Sequence, residues 1–330
     1  MNRIPLVLLT GFLGAGKTTL LNGLLATAKF CDTAVIINEA GDVGLDHLLV
    51  EQGTDSVTML DGGCFCCRAK GSLAPVLARL VRRSRDDAAA SFRRVVVETS
   101  GLADPVAVLE GLIADVAFNR HFSLAGLVTV VDTRTFAETV AAHAEARMQV
   151  ALADRLLLTK TDLVPLDQSR QVQAALAAMN PHAPQLIVGP GSAAMSTFWP
   201  DALDLPRVRN ARVPLCAAEP TMVATTSMAF TGRIEPDALE AWLDHTIGLF
   251  GPKLVRMKAM LDIADAPGPT VLHVVQGLLH QPIDLAAWPD AQRQNRIVLI
   301  GRDIEQQILV DALARLVATV EAPVAVALWG

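Results

Sequence analysis

The sequence predicts an α/β fold in which a doubly wound, mostly parallel sheet is followed by a smaller α+β domain. Three features carry that expectation. Over residues 1–200 short apolar runs alternate with longer amphipathic stretches, a glycine-rich turn closing in Lys17-Thr18 follows the first run, and beyond residue 220 the order of the runs changes. Near-continuous apolar strands separated by helices imply parallel pairing with both faces covered. Ligands in such sheets sit at the carboxyl ends of the strands.

Strands are expected at Ile4 to Leu9, Ala34 to Ile37, Arg94 to Val97, Leu127 to Val131, Arg155 to Leu158 and Gln185 to Val188, each a short apolar run. Between them Thr18 to Ala28, Leu73 to Arg83, Pro105 to Ala114 and Gln168 to Met179 read as amphipathic helices. Gly189 to Pro220 is rich in Pro, Gly, Ala and Ser, which suits a connection; we place the first domain at 1–200, the linker at 201–220 and the second domain at 221–330. In the second domain, strand-like Val223 to Phe230 precedes a helix at Pro236 to Ile247. Lys253 to Ile263, Thr270 to Val275 and Arg296 to Ile300 look extended, and Ile304 to Val320 is a closing helix. That order suits a mainly antiparallel sheet.

The chain has 330 residues, 52% hydrophobic and 19% charged, enough to bury a core in each of two domains and too apolar for disorder. A formal net charge of -6 argues against nucleic acid as the partner, and Arg79, Arg82, Arg83 and Arg85 read as the solvated side of a helix. Five cysteines, three of them within four positions, suit a reducing compartment and make a disulfide scaffold a poor reading. The apolar start runs straight into the glycine-rich turn without a cleavage region, and no stretch of about twenty residues is uniformly apolar, so export and membrane insertion are not expected. The expected compartment is the cytoplasm.

Gly11-Phe12-Leu13-Gly14-Ala15-Gly16-Lys17-Thr18 has the spacing of a phosphate-binding loop, and it lies between a strand and a helix as such a loop must. Its glycines, with Ala15, let backbone N–H groups surround phosphate oxygens at the positive end of the following helix. Lys17 is expected at the outer phosphates, Thr18 on magnesium, and Thr19 beside them. The next apolar strand but three ends in Thr159-Lys160-Thr161-Asp162. A carboxylate there accepts from guanine N1–H and the exocyclic amine, whereas adenine offers an acceptor at N1, so GTP is favoured; Lys160 is expected to lay its stem along the base or the loop. Glu98-Thr99-Ser100-Gly101, counted as the end of the third strand, supplies a carboxylate near magnesium and a glycine N–H for the γ-phosphate. At the end of the second strand, Asn38-Glu39-Ala40-Gly41-Asp42-Val43-Gly44 suits a loop responsive to that phosphate.

Gly62-Gly63-Cys64-Phe65-Cys66-Cys67 is the second strong signal. Three close thiols offer soft ligands to Zn(II), Cu(I) or Co(II), while a disulfide between adjacent cysteines is strained. No further Cys or Cys-His pair lies at finger-like spacing, so a fourth ligand is borrowed or a coordination position is open, which suits metal transfer. Cys31 and Cys216 read as small core residues.

These residues together resemble the CobW family of P-loop GTPases. The resemblance covers nearly the whole chain and rests on Thr10 to Asn22, Asn38-Glu39, Cys64-Phe65-Cys66-Cys67, Glu98 to Pro105 and Thr159 to Asp162, with a looser match at Arg256-Met257-Lys258 and Ile300-Gly301-Arg302-Asp303. It implies a P-loop NTPase domain of the GTPase type followed by a CobW-type carboxy-terminal domain, slow GTP hydrolysis, and a metallochaperone or insertase role. GTP, Mg2+ and Zn2+ or Co2+ are the implied ligands, and a client metalloprotein or a cobalt- or zinc-dependent pathway enzyme the implied partner. Cys64, Cys66 and Cys67 would be metal ligands, with Glu39 and Asp42 as additional candidates; Lys17, Thr18, Glu39, Glu98 and Gly101 would serve hydrolysis.

Two departures stand out. Ala40 and Asp42 replace the aromatic and the glutamate usual in the family's first switch, and the family's frequent His-rich segment is absent, the seven histidines being scattered. No Arg or Gln is recognisable as a finger or a water-positioning group, in keeping with slow turnover. Two other classes remain open at this stage: a regulatory GTPase switch with a structural zinc and an effector-binding second domain, and a P-loop kinase or ATPase. Oligomeric state is not legible in the sequence.

Overall fold

The computed structural model describes residues 3–25, 27, 30, 32–37, 57–59, 73–86, 92–189, 198–199, 223–288, 293–320 and 327–329. The chain divides into two compact units. The expected linker at 201–220 lies outside the described residues.

The first unit is built on strands β1 (Ile4–Thr10), β2 (Thr33–Ile37), β3 (Val57–Met59), β4 (Arg94–Glu98), β5 (Phe122–Asp132), β6 (Arg155–Thr159) and β7 (Gln185–Ile187). They form one sheet in the order β3-β2-β4-β1-β5-β6-β7, and every pairing is parallel. Parallel neighbours need crossovers, and helices α1 (Lys17–Leu25), α2 (Leu73–Asp86), α3 (Pro105–Ile113), α4 (Val116–His121), α5 (Phe136–Ala142), α6 (Ala144–Ala151) and α7 (Leu166–Met179) supply them. Because both faces are covered, the strands carry no polar alternation: Leu6, Val7, Leu8 and Leu9 are each 0% exposed. On one face Leu20, Leu21 and Leu24 of α1 pack on Val7, Leu9, Val35, Val96 and Val128. Burying each such side chain contributes roughly 1.5–3 kcal/mol.

The expected strands and helices of this unit are present, with one further strand, three further helices and one strand that is longer than expected. Between the second and third expected strands lies β3, so the strand ending at Glu98 is fourth in the chain and the one ending at Thr159 is sixth. Expected to begin at Leu127, β5 begins at Phe122. Three helices, α4, α5 and α6, fill stretches in which the sequence showed no amphipathic period. In α6 the cause is burial of Ala146, Met148, Gln149, Val150 and Ala151, which leaves no polar stripe to set a period.

The second unit holds β8 (Val223–Phe230), β9 (Leu254–Leu261), β10 (Thr270–Val275), β11 (Leu278–Leu279), β12 (Ile283–Asp284), β13 (Asn295–Arg302) and β14 (Ala327–Trp329), with α8 (Pro236–Phe250) and α9 (Gln306–Val317). Its sheet runs β11-β10-β9-β13-β8-β14, with β12 on β10, and the pairings are antiparallel. Met257, Ala259, Leu261, Ile297 and Leu299 point alternately to the face covered by Leu239, Trp242 and Leu243 of α8 and Leu309, Leu313 and Leu316 of α9. The two helices are joined by Trp242 Nε1, which donates to Ala312 O at 2.7 Å in the buried core. No helix among the described residues is long and apolar enough to cross a membrane.

Trp242→Phe keeps most of the apolar volume but removes that donor. The expected loss is about 1–3 kcal/mol of unfolding free energy, read as a lower denaturant midpoint by circular dichroism; an unchanged midpoint would show that the bond contributes nothing net.

Candidate functional site

The strand order sets the site. With β1 between β4 and β5, and β6 beside β5, the loops leaving four carboxyl ends converge on one edge of the sheet. The phosphate loop leaves β1. Gly11 stands at φ +141°, and a Cβ there would lie 2.3 Å from Val130 O on β5, so both backbone conformation and packing require glycine. Gly14 and Gly16 also have positive φ. The loop closes through Ala15 N–H donating to Phe12 O at 3.1 Å. It passes into α1, whose first N–H groups are free of helical partners and can meet an anion. Lys17, only 8% exposed, curls back over the loop, and its ammonium donates to Gly11 O at 2.8 Å and Phe12 O at 3.3 Å.

On the β4 side, Thr18 Oγ1 donates to Glu98 Oε1 at 3.0 Å. Glu98 is 1% exposed. A buried carboxylate beside a hydroxyl at the phosphate end of the loop is an all-oxygen donor set, the kind a hard cation such as Mg2+ takes. Thr99 Oγ1 donates to Thr10 Oγ1 at 2.9 Å, and Thr99 N–H to Leu9 O at 2.9 Å, so the segment after β4 leaves locked to β1. Gly101 then backs onto the phosphate loop: a Cβ would meet Leu13 N at 2.6 Å and Leu13 Cδ2 at 2.8 Å. A movement of one segment therefore displaces the other.

On the β5–β6 side, Thr159 Oγ1 lies 2.8 Å from Ala15 O and 3.1 Å from Val131 O. Lys160 takes the left-handed conformation (φ 58°), and its ammonium donates to Gly14 O and to Asp132 Oδ2, each at 2.6 Å. Asp132 also accepts from Arg134 N at 3.0 Å. Burial opposes the Asp132 charge, but the bonds from Lys160 and Arg134 outweigh it, and the carboxyl sits below the usual carboxylate range. Asp162 is exposed on the short 3-10 turn Thr161–Leu163 that follows. From that turn its carboxylate is accessible to a base.

Lys17, Thr18, Glu98, Gly101, Thr159 and Lys160 are thus brought around one loop. Asn38, Glu39, Ala40, Asp42, Cys31, Cys64, Cys66, Cys67 and Cys216 lie outside the described residues. Among the described residues no group of three His, Cys, Asp or Glu side chains is placed to hold a metal. Two participants were not read from the sequence. Asp132 is one; its signal was an acidic residue at the carboxyl end of an apolar strand, just past the expected limit at Val131. Gln149 is the other; no local pattern marks it.

A glycine-rich loop between a strand and a helix, a lysine curled over it, and a hydroxyl–carboxylate pair at its end define a P-loop nucleotide-binding protein. Residues 5–187 match the CobW/HypB/UreG nucleotide-binding domain and residues 223–317 the cobalamin synthesis protein cobW C-terminal domain. The chain belongs to the CobW/HypB/UreG family and is a P-loop GTPase. Over 320 residues it is 29% identical to zinc chaperone YjiA of Escherichia coli (strain K12), covering 96% of this chain and 99% of that one. Zinc chaperone CobW of Pseudomonas aeruginosa is 28% identical over 350 residues, covering 94% of this chain and 91% of its own. Zinc-regulated GTPase metalloprotein activator 1 of Schizosaccharomyces pombe is 32% identical over 187 residues, 54% of this chain and 44% of that protein. The crystal structure of Zn(II)-bound YjiA GTPase from E. coli shares the fold, with a TM-score of 0.65 at 24% identity over 96% of this chain and 99% of that one.

Because the folded Asp132 carboxyl binds its proton more weakly than the unfolded one, the Lys160 bridge stabilises the fold fully above the unfolded value, about 3.9, and the contribution is lost as pH falls through the lower folded value. Asp132→Asn is therefore expected to lower the melting temperature at pH 7, with the gap to the wild type closing as the pH drops below about 4. A gap that stays constant down to acid pH would remove this role.

Proposed function

We propose that this chain is a GTP-hydrolysing metallochaperone. In this reading it binds Zn(II), with Co(II) as an alternative, through the thiolates of Cys64, Cys66 and Cys67 and passes the ion to a client metalloprotein or a zinc- or cobalt-dependent pathway enzyme in the cytoplasm. Glu39 and Asp42 are further candidate ligands. Three thiolates with a fourth position open or borrowed hold a borderline ion while leaving it exchangeable. The names of the relatives, two of them zinc chaperones and one a zinc-regulated metalloprotein activator, favour zinc.

The observation that carries the reading is the contact of Gly101 with Leu13. It supports a coupling in which the occupant of the loop's outer end is felt by the segment after β4; in this proposal the acidic loop at Asn38 to Asp46 and the thiols respond to the same phosphate. The N–H groups of residues 14–19 orient the phosphates, Lys17 neutralises charge on the outer two, and Gly101 offers its N–H to the third. Thr18 would hold Mg2+, with Glu98 steadying it through Thr18 or a water; the ion neutralises charge that develops on the phosphate oxygens. Asp162 accepts from the guanine edge, while Thr159 and Lys160 brace the loop beneath the base.

Titration of the reduced protein with Zn(II) or Co(II), in Mg-GTP, in Mg-GDP and without nucleotide, tests the coupling. The metal is expected to bind more tightly with GTP, by about 5- to 150-fold, and the metal to tighten GTP by the same factor. Equal affinity in all three states would remove the chaperone cycle, and zinc that resists chelation in every state would point to a structural site. Asp162→Asn is expected to weaken GTP and favour xanthosine triphosphate, since an amide can donate to the carbonyl that replaces guanine's amine; unchanged base preference would mean that another group reads the base.

A further inference from the structure

The side-chain NH2 of Gln149 has no part in the roles above, yet it donates to the segment that faces the phosphate loop. Gln149 is 1% exposed on α6. Its Nε2 donates to Gly101 O at 3.1 Å and to Ala103 O at 3.2 Å. Its main-chain carbonyl accepts from Thr129 Oγ1 at 2.7 Å, which ties the residue to β5 in the middle of the sheet. A side-chain amide has two N–H donors in one plane, and here both go to backbone carbonyls two residues apart.

Few side chains can do this. A buried lysine or arginine brings an unpaired charge, leucine leaves two carbonyls without a donor, and asparagine is one methylene short. The turn itself is shaped by local bonds, Ala103 N–H to Ser100 O at 3.0 Å and Leu102 N–H to Ser100 Oγ at 3.4 Å. Beyond it, Asp104 Oδ1 caps α3 by accepting from Val106 N–H at 2.9 Å. These bonds give the turn its form; the pair from Gln149 gives it its place relative to α6. Gly101, whose carbonyl is so held, is also the residue backed against Leu13 of the phosphate loop.

We propose that Gln149 is the positioning residue by which this chain distinguishes a nucleoside triphosphate from a diphosphate. By holding the Gly101 and Ala103 carbonyls it presets the Gly101 backbone, so a third phosphate meets an N–H already aimed and does not have to order it. Gln149 acts through Gly101 and touches no nucleotide. The inference rests on the GTPase site proposed above and adds the element that gives the site its preference.

The test measures Mg-GTPγS and Mg-GDP affinities of the full chain, with single-turnover GTP hydrolysis, for the wild type, Gln149→Leu and Gln149→Glu. Leucine removes both donors, and glutamate keeps the length but sets an acceptor against two carbonyls. Both variants are expected to lose about tenfold in GTPγS affinity and in hydrolysis rate, with GDP affinity within about twofold. Equal loss for both nucleotides, or no loss for either, overturns the proposal, because a merely structural residue would not move the ratio. Should neither variant fold, hydrogen exchange of amides 100–104 in the wild type decides. Equal protection of amides 102–104 in Mg-GDP and Mg-GTPγS, with the Gly101 amide alone slowed further by GTPγS, is expected; amides 102–104 protected only in GTPγS, or a Gly101 amide that does not respond, overturns it. A wild type that binds neither nucleotide sinks the GTPase site itself, whereas a wild type that prefers GTPγS while the variants do too sinks only the role of Gln149.

Discussion

The site depends on one ammonium group. Lys160 Nζ lies 2.6 Å from Gly14 O in the phosphate loop and 2.6 Å from Asp132 Oδ2 at the end of β5, and so joins the ends of β1, β5 and β6. Gly14 O and Ala15 O of that loop are turned toward the β5–β6 side, where Lys160 Nζ and Thr159 Oγ1 lie within hydrogen-bond distance. A cation behind the loop favours that orientation, and Asp132 compensates the cation where solvent is scarce, with side-chain exposures of 27% and 10% for the pair. Such a pair gains stability only where its geometry is good and its remaining groups are bonded. Arg134 N–H meets that condition on the Asp132 side.

Across β1 the arrangement is looser and mechanically more informative. The β5–β6 side holds the loop by a charge pair and a threonine hydroxyl, whereas the β4 side meets it at Thr18–Glu98 and at the bare backbone of Gly101. Contact without a side chain allows close approach, so a displacement of either backbone is met directly by the other. One side of the domain thus holds the loop through an ammonium and a hydroxyl, and the other abuts it through backbone. Gln149 limits how far the Gly101 segment can stray, because both of its donors would be left to find other partners.

The second unit follows other rules. Its antiparallel sheet places alternate residues of β9 and β13 against two helices, and the Trp242 bond to Ala312 fixes how those helices meet.

By itself the sequence determined the elements and the chemistry of contiguous motifs. An apolar run with no alternation reads as a strand covered on both faces, and Gly11 to Thr18 or Thr159 to Asp162 carry their spacing within a few residues, so neither needs the fold to be recognised. Periodicity failed where burial removed it, as in α6, or where an element was too short to show any, as in the three residues of β3. Only the tertiary structure decided which distant residues meet. Asp132 finds Lys160 across 28 positions of chain because β6 pairs with β5 in the register that sets Asp132 opposite Thr159, and Gln149 finds Gly101 across 48 because the sheet brings the segment after β4 within reach of the helix packed on β5; no local pattern encodes either pairing. Hydrogen-bond partners of a buried amide or ammonium are set by strand order and by the packing that follows from it.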